Sequence, residues 1–402
     1  MIQADGKARR NVAVLFFAQA VLGAQIPINV ILGGLAGRAL ASDPGLATLP
    51  LSVMVLVAMF AAPAASLLMG RVGRRAGFMC GAVAGGLGGL ISARALFVGS
   101  FEGLLLGAAC TGVYNAFQGF YRFAAADTAS DTFKPKAISW VLAGGLLSAL
   151  LGPEIVRQVA GAFAPTPFAG AYVAVIGLNL VGLCGLLLLD IPVPTRPADR
   201  SSGGRPLSEI FRQPRVIVAV LCAMTSYALM SLVMTATPLA MVSHGFNTDH
   251  AADVVRWHVV AMFAPSFFTG PLITRFGHAR IIATGLLLVA ACGGVALLGT
   301  ELDKFYIALA VLGIGWNFGF IGATSLLATS YSPAERAKVQ GLNDFLVFGF
   351  VAMASFTSGA LLSSYGWQTV QIAMLPGLIL AALALAWFSL RGRALGRAAN
   401  AP

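Results

Sequence analysis

Apolar residues fill this chain in runs of about twenty, the length that carries a helix across roughly 30 Å of hydrocarbon at 1.5 Å per residue. Twelve runs, near residues 12–36, 48–69, 77–97, 101–121, 137–157, 168–189, 215–241, 251–273, 280–299, 305–328, 341–363 and 367–390, predict twelve membrane-spanning helices. Charged residues collect in the short stretches between them. Their placement tests the count, because Lys and Arg accumulate on the cytoplasmic side of a membrane protein. With the N-terminus inside, 21 of the 26 basic residues fall on that side. Only Arg38, Arg94, Arg157, Arg256 and Lys304 fall outside. Omitting a span would scramble that split, so both termini are expected in the cytoplasm.

The pattern also repeats. Met59-Phe60-Ala61-Ala62-Pro63, followed by Gly70-Arg71-Val72-Gly73-Arg74-Arg75, is echoed about 200 residues later by Met262-Phe263-Ala264-Pro265 and Thr274-Arg275-Phe276-Gly277-His278. Lys136 and Lys338 open spans 5 and 11 at a similar offset. The reading is an all-α membrane protein of two six-helix bundles, residues 1–190 and 214–402. They are joined by a Pro-, Arg- and Ser/Gly-rich cytoplasmic linker over 191–213.

Composition closes off other classes. Of 402 residues 58% are hydrophobic and only 10% are charged, against about 25% charged in soluble domains. The net charge of +11 comes from basic residues spread thinly between apolar runs, without the block or motif that a nucleic acid would require. Cys80, Cys110, Cys184, Cys222 and Cys292 are scattered without a Cys-x-x-Cys pair, so neither a disulfide framework nor a zinc site is expected. The basic start, Met1 to Arg10, leads into a full span with no small-residue cleavage site, and no removed signal peptide is expected. No catalytic motif or triad is visible, so an enzyme is not expected.

Six plus six spans with a basic Gly-Arg-x-Gly-Arg-Arg turn after span 2 resemble the major facilitator superfamily over essentially the whole chain. That family's pattern is Gly-x-x-x-Asp-Arg-x-Gly-Arg-Arg; here Ser66 stands at the first Gly and Gly70 at the Asp. The resemblance implies two bundles around a central site that opens alternately to either side.

Candidate chemistry concentrates on spans 7 and 8. Met230 and Met234, then His258 and Met262, are two pairs at i, i+4 spacing, so each pair shares a helix face. Tyr227 and Met241, each seven residues from Met234, extend the stripe, with Met241 expected near the mouth. Histidine is rare inside membranes and marks a functional site by default. Thioether sulfur with neutral imidazole is a ligand set for Cu(I) rather than zinc, calcium or magnesium. Cys222, two turns from Met230, is a further pathway candidate. Core packing by methionine and a hydrogen-bonded His258 are the bland readings. In the outer loop, His244, Asp249, His250 and Asp253 read as a solvated polar surface. Gln19, Gln25, Asn29, Tyr114, Asn115, Gln118, Trp316 and Asn317 either line a cavity or join helices. Glu154 lies near the outer end of span 5, and Asn343 and Asp344 suit the start of span 11 as a cap.

Met-x-x-x-Met in span 7 with His-x-x-x-Met in span 8 is similar to the copper importers of the superfamily, the CcoA-like proteins. That likeness implies metal-binding roles for Met230, Met234, His258 and Met262. It also implies inward transport of copper as cargo rather than cofactor, in support of cbb-type oxidase assembly at a bacterial-type inner membrane. The expected partners are the copper ion and the lipid bilayer. Two other readings stand beside it: a carrier of a small organic solute, and a membrane receptor or assembly factor that holds copper.

Overall fold

The computed structural model describes residues 4–43, 46–159, 161–193 and 204–399. Residues 194–203 of the expected linker lie outside them. The described residues form helices with no strand. They are α1 (Ala4–Val21), α2 (Gln25–Leu40), α3 (Leu49–Val72), α4 (Arg74–Val98), α5 (Phe101–Gly119), α6 (Tyr121–Asp127), α7 (Lys134–Val159) and α8 (Ala169–Leu186). The expected linker holds one short helix, α9 (Leu207–Ile210), and after it come α10 (Pro214–Ser243), α11 (Thr248–Phe263), α12 (Ser266–Phe276), α13 (His278–Leu297), α14 (Leu302–Ala328), α15 (Arg336–Ile372) and α16 (Leu375–Ala399).

All twelve expected spans are helical. Span 1 is α1 and α2 with a short 3₁₀ turn, Leu22–Ala24, between them. Span 8 is α11 and α12, interrupted at Ala264 and Pro265, where a proline removes one amide donor from the helical ladder. Span 11 ends inside α15, which bends at Gly366 with φ at +81°. Ten helical stretches among the described residues are long and apolar enough to cross a membrane, the last of them, Arg336–Arg391, holding spans 11 and 12. Their outward faces carry Leu287, Phe60 and Leu383 at 70, 66 and 64% exposure. Apolar surface on that scale needs lipid rather than water as its solvent.

The internal repeat survives in the backbone. Gly73, between α3 and α4, has φ +88° and ψ 165°, and Gly277, between α12 and α13, has φ +83° and ψ 158°. A side chain is strained at such φ, which accounts for glycine at both turns.

The chain divides into two compact units. The first holds Met1–Phe133, Trp140–Gly203 and Pro333–Gly349; the second holds Lys134–Ser139, Gly204–Ser332 and Phe350–Pro402. Two short segments, the starts of α7 and α15, thus pack away from the rest of their own sequence half, and they are related by the repeat. In the first unit the Ser66 hydroxyl donates to the Ala337 carbonyl at 2.8 Å, and a Cβ on Gly70 would lie 3.1 Å from that of Ala337. In the second, Ser139 donates to the Ser266 carbonyl and accepts from the Gly270 amide. In both, a serine hydroxyl donates to a backbone carbonyl of the neighbouring helix, and a glycine, Gly70 or Gly270, leaves room for that neighbour. The small residues let a helix backbone approach closely, as small residues do between membrane helices.

Candidate functional site

Three helices of the second unit, α10, α11 and α14, carry most of the candidate residues. On α11, His258 is wholly buried and its Nδ1 lies 2.7 Å from the Leu309 carbonyl of α14. A carbonyl can only accept, so Nδ1 carries the proton and Nε2 presents a bare lone pair. That Nε2 is buried without a hydrogen-bond partner among the described residues. One turn further, Asn317 of α14 donates to the Met262 carbonyl at 2.7 Å and to Ser266 at 2.6 Å, while accepting from Thr269 at 2.6 Å. Asn317 therefore joins helices across the Pro265 break.

Close approach makes these bonds possible. A Cβ on Gly313 of α14 would lie 2.7 Å from the His258 carbonyl oxygen and 2.8 Å from the Met262 amide nitrogen. Gly313→Val is expected to force the two helices apart and cost about 1–3 kcal/mol. The check is a lower melting temperature of the detergent-solubilised protein. An unchanged midpoint would count against the contact.

Below this contact the rings gather. Trp316 and Phe320 stack on α14 with centroids 5.1 Å apart and planes 18° from parallel. Tyr227 of α10 stands edge-on to both, at 5.5 and 5.1 Å, and Phe263 of α11 meets Trp316 at 5.7 Å. Such offset and edge-to-face pairs are the favoured aromatic geometries. Trp316 is 2% exposed, and its indole Nε1 is buried without a partner among the described residues, as is the Ser226 hydroxyl of α10. An unmet buried donor or acceptor is costly enough that it calls for a ligand or a water.

The other expected ligands fall differently. Met230 and Met262 are buried and Met234 is half-buried. Met241, two residues before the end of α10, is wholly buried on the inward face of that helix beside buried Ala236, Thr237 and Ala240. Cys222 is likewise enclosed. His258 and the Met262 carbonyl are tied to α14 rather than to the methionines of α10. Among the described residues no group of three or more His, Cys, Asp and Glu is placed to hold a metal ion. The outer-loop residues take ordinary roles: Asn247 caps α11 through the His250 amide at 2.8 Å, and Asp253 accepts from Tyr306 at 2.6 Å and pairs with Arg256 at 2.6 Å.

In the first unit the polar residues of the spans largely satisfy one another. Gln25 of α2 and Asn179 of α8 exchange amide hydrogen bonds at 3.3 and 3.2 Å, and Asn29 donates to the Gln25 carbonyl at 2.8 Å. Charges are paired too. Arg74 donates to Asp127 at 2.8 Å and to Gln340 at 2.6 Å, Arg336 joins Asp127 at 3.1 Å, and Arg122 pairs with Asp344. The expected cap at Asn343 and Asp344 is corrected here: α15 begins at Arg336, so Asp344 lies more than two turns inside the helix and serves as the counter-ion of Arg122 instead. Arg122 was legible only as one of the basic residues that follow span 4, and nothing in the sequence connected it to a residue 222 positions away.

Repeat-related helical units with unmet polar groups at membrane depth define a polytopic carrier. The chain belongs to the Major Facilitator Superfamily, whose family model matches residues 12–265 and 221–401. It is 46% identical over 395 residues to the riboflavin transporter RfnT of Brucella anthropi, covering 98% of each chain. It is also 29% identical over 375 residues to the uncharacterised transporter YddS of Bacillus subtilis, covering 88% of this chain and 84% of that one. Among solved structures, the superfamily transporter FucP in its outward conformation is similar, with TM-score 0.78 at 14% identity, covering 94% and 97% of the two chains. These named relatives are transporters rather than enzymes.

The comparisons overturn the expected cargo. A relative this close over the full length is named for riboflavin, and the copper importer reading, with its oxidase-assembly role, falls in favour of an organic solute. The physical reason the motif misled is its chemistry: Met and His at i, i+4 spacing also suit an apolar helix face with one hydrogen-bonded imidazole, which is what α11 presents.

Proposed function

We propose that this protein carries riboflavin across the membrane and that the second unit supplies its ring-binding residues. The observation that carries this reading is the 46% identity to a riboflavin transporter along 98% of both chains. The local chemistry supports it. Riboflavin is uncharged, with a flat three-ring system whose edge offers a ring N–H between carbonyl oxygens, and a hydroxylated side chain. Trp316, Phe320, Tyr227 and Phe263 offer ring faces and edges, His258 Nε2 an acceptor, and Trp316 Nε1 and Ser226 donors. A low-dielectric setting strengthens each such bond.

The test is uptake of radiolabelled riboflavin by a bacterial strain that lacks its own route, repeated with purified protein in liposomes. Accumulation in cells and equilibration into the lumen are expected, with competition by unlabelled riboflavin. Vesicles that stay empty at every concentration would refute the reading.

The basic-residue distribution supports an inner-membrane orientation with both termini in the cytoplasm. A fluorescent protein fused to the C-terminus is expected to glow, whereas alkaline phosphatase fused there stays inactive. The opposite pattern would invert the topology.

A further inference from the structure

Three carboxamides of the first unit stand apart from the bonded set of Gln25, Asn29 and Asn179. Gln19 of α1, with Asn115 and Gln118 of α5, makes no side-chain hydrogen bond among the described residues. Gln19 is 8% exposed, and Asn115 and Gln118 are half-buried. Their amide atoms, unlike the hydroxyl of Tyr114, are not sealed from solvent. All three therefore reach accessible space.

Glycines bring them together. A Cβ on Gly23, in the 3₁₀ turn one helical turn beyond Gln19, would lie 3.1 Å from Gln118 Nε2 and 3.2 Å from the Ser148 Cβ of α7. A Cβ on Gly144, one turn before Ser148, would lie 3.0 Å from the Gln19 Cβ. Span 1, α5 and α7 thus meet here, with Gln19 and Gln118 about one turn apart along span 1. Asn115 is one turn from Gln118 on the same face of α5. Ser148 stands about 21 Å from the start of α7 at 1.5 Å per residue, which is deep in the membrane. Polar side chains at such depth face a bundle interior or a water-filled cavity. Unbonded and open, these three line water-filled space rather than join helices.

A carboxamide offers two N–H donors and a carbonyl acceptor without charge, and a hydroxyl can answer either. Two amides one helical turn apart, about 5–6 Å, suit hydroxyls on alternate carbons of an extended chain. Arg122, the next charge along the chain from Gln118, is held by Asp344, so the wall suits a neutral polyol. We infer that Gln19, Asn115 and Gln118 recognise the hydroxylated chain of the cargo. The assignment rests on the riboflavin reading and deepens it, giving selectivity for the hydroxyl groups to residues of the first unit.

The experiment compares riboflavin with lumiflavin, which keeps the three rings and carries a methyl group in place of the hydroxylated chain. In wild-type liposomes lumiflavin is expected to compete with radiolabelled riboflavin more weakly than unlabelled riboflavin does. Asn115→Leu and Gln118→Met are each expected to raise KM for riboflavin about three- to tenfold, the worth of a lost hydrogen bond. The inhibition constant of lumiflavin is expected to stay within about twofold of wild type. Both replacements match the amide in size, and an unchanged melting temperature together with that constant shows a folded carrier. Riboflavin KM unchanged in both variants, or KM and the lumiflavin constant rising together, overturns the amide wall and leaves riboflavin transport standing. Wild-type vesicles that take up no riboflavin overturn the transport reading and this assignment together.

Discussion

Asp344→Asn is expected to destabilise the protein by about 3–5 kcal/mol, the range for stripping a buried ion pair of one member. Arg122, on α6, and Asp344, on α15, have side chains 6 and 1% exposed. The guanidinium also donates to the Gly119 carbonyl at 2.6 Å and sits 4.6 Å from the Phe123 ring centroid. Those contacts hold it in place, so after loss of its counter-ion it has no easy path to a water or headgroup layer. The measurement is the melting temperature in mild detergent, read by size-exclusion after heating. A fall well below wild type is expected for Asp344→Asn. The double variant Arg122→Gln with Asp344→Asn is expected to recover more than half of it, because it leaves no unpaired charge. A single variant as stable as wild type, or a double variant worse than the single, would show that the pair is not the sensitive element. Replacing Arg336 is expected to cost less, since Asp127 keeps Arg74 at 2.8 Å.

The contrast between that pair and the copper motif shows what the sequence could and could not reveal. Span count, repeat and family were legible because each rests on a regular signal: twenty-residue apolar runs, a basic turn after span 2, and its echo near Thr274. The Gly73 and Gly277 turns show that even the backbone torsions repeat. Pairings across sequence were not legible. Asp344 at the start of an apolar run looks like a cap until α15 is seen to begin two turns earlier. Asn179, the partner of Gln25, passed unnoticed because one amide in an apolar helix carries no period.

His258 is a residue that a membrane helix does not hold without cause, and its Nε2 is unmet among the described residues. The cargo inferred from it was wrong, because i, i+4 spacing fixes a helix face and not what that face meets. Met262 is packed where Gly313 lets α14 approach, and Trp316, noted only as a cavity candidate, is the centre of the ring cluster. Trp316 and Phe320, four residues apart on α14, are the spacing that forms the stacked pair, with Tyr227 and Phe263 supplied by neighbouring helices.

Trp316→Leu is expected to lower riboflavin uptake about 100-fold while the protein still inserts and elutes as a single species. The indole supplies both a ring face and the unmet Nε1 donor, and losing a ring contact and a hydrogen bond together is worth about 3 kcal/mol, or two powers of ten. Trp316→Phe separates the two, since it keeps the stack on Phe320 and removes the donor. Its loss is expected to be about five- to tenfold, seen in KM. Met230→Leu, Met234→Leu and Met262→Leu supply the decisive comparison. Leucine matches methionine in volume, so packing survives, and a carrier of a ring compound should keep uptake within about twofold. A carrier that depended on sulfur would lose its activity in those three variants and keep it in Trp316→Phe. Uptake assayed in parallel across the five variants, normalised to membrane protein, therefore discriminates ring recognition from sulfur ligation by a reversal of rank order. Strong loss in the methionine variants with Trp316→Leu unaffected would remove the ring cluster from the transport path.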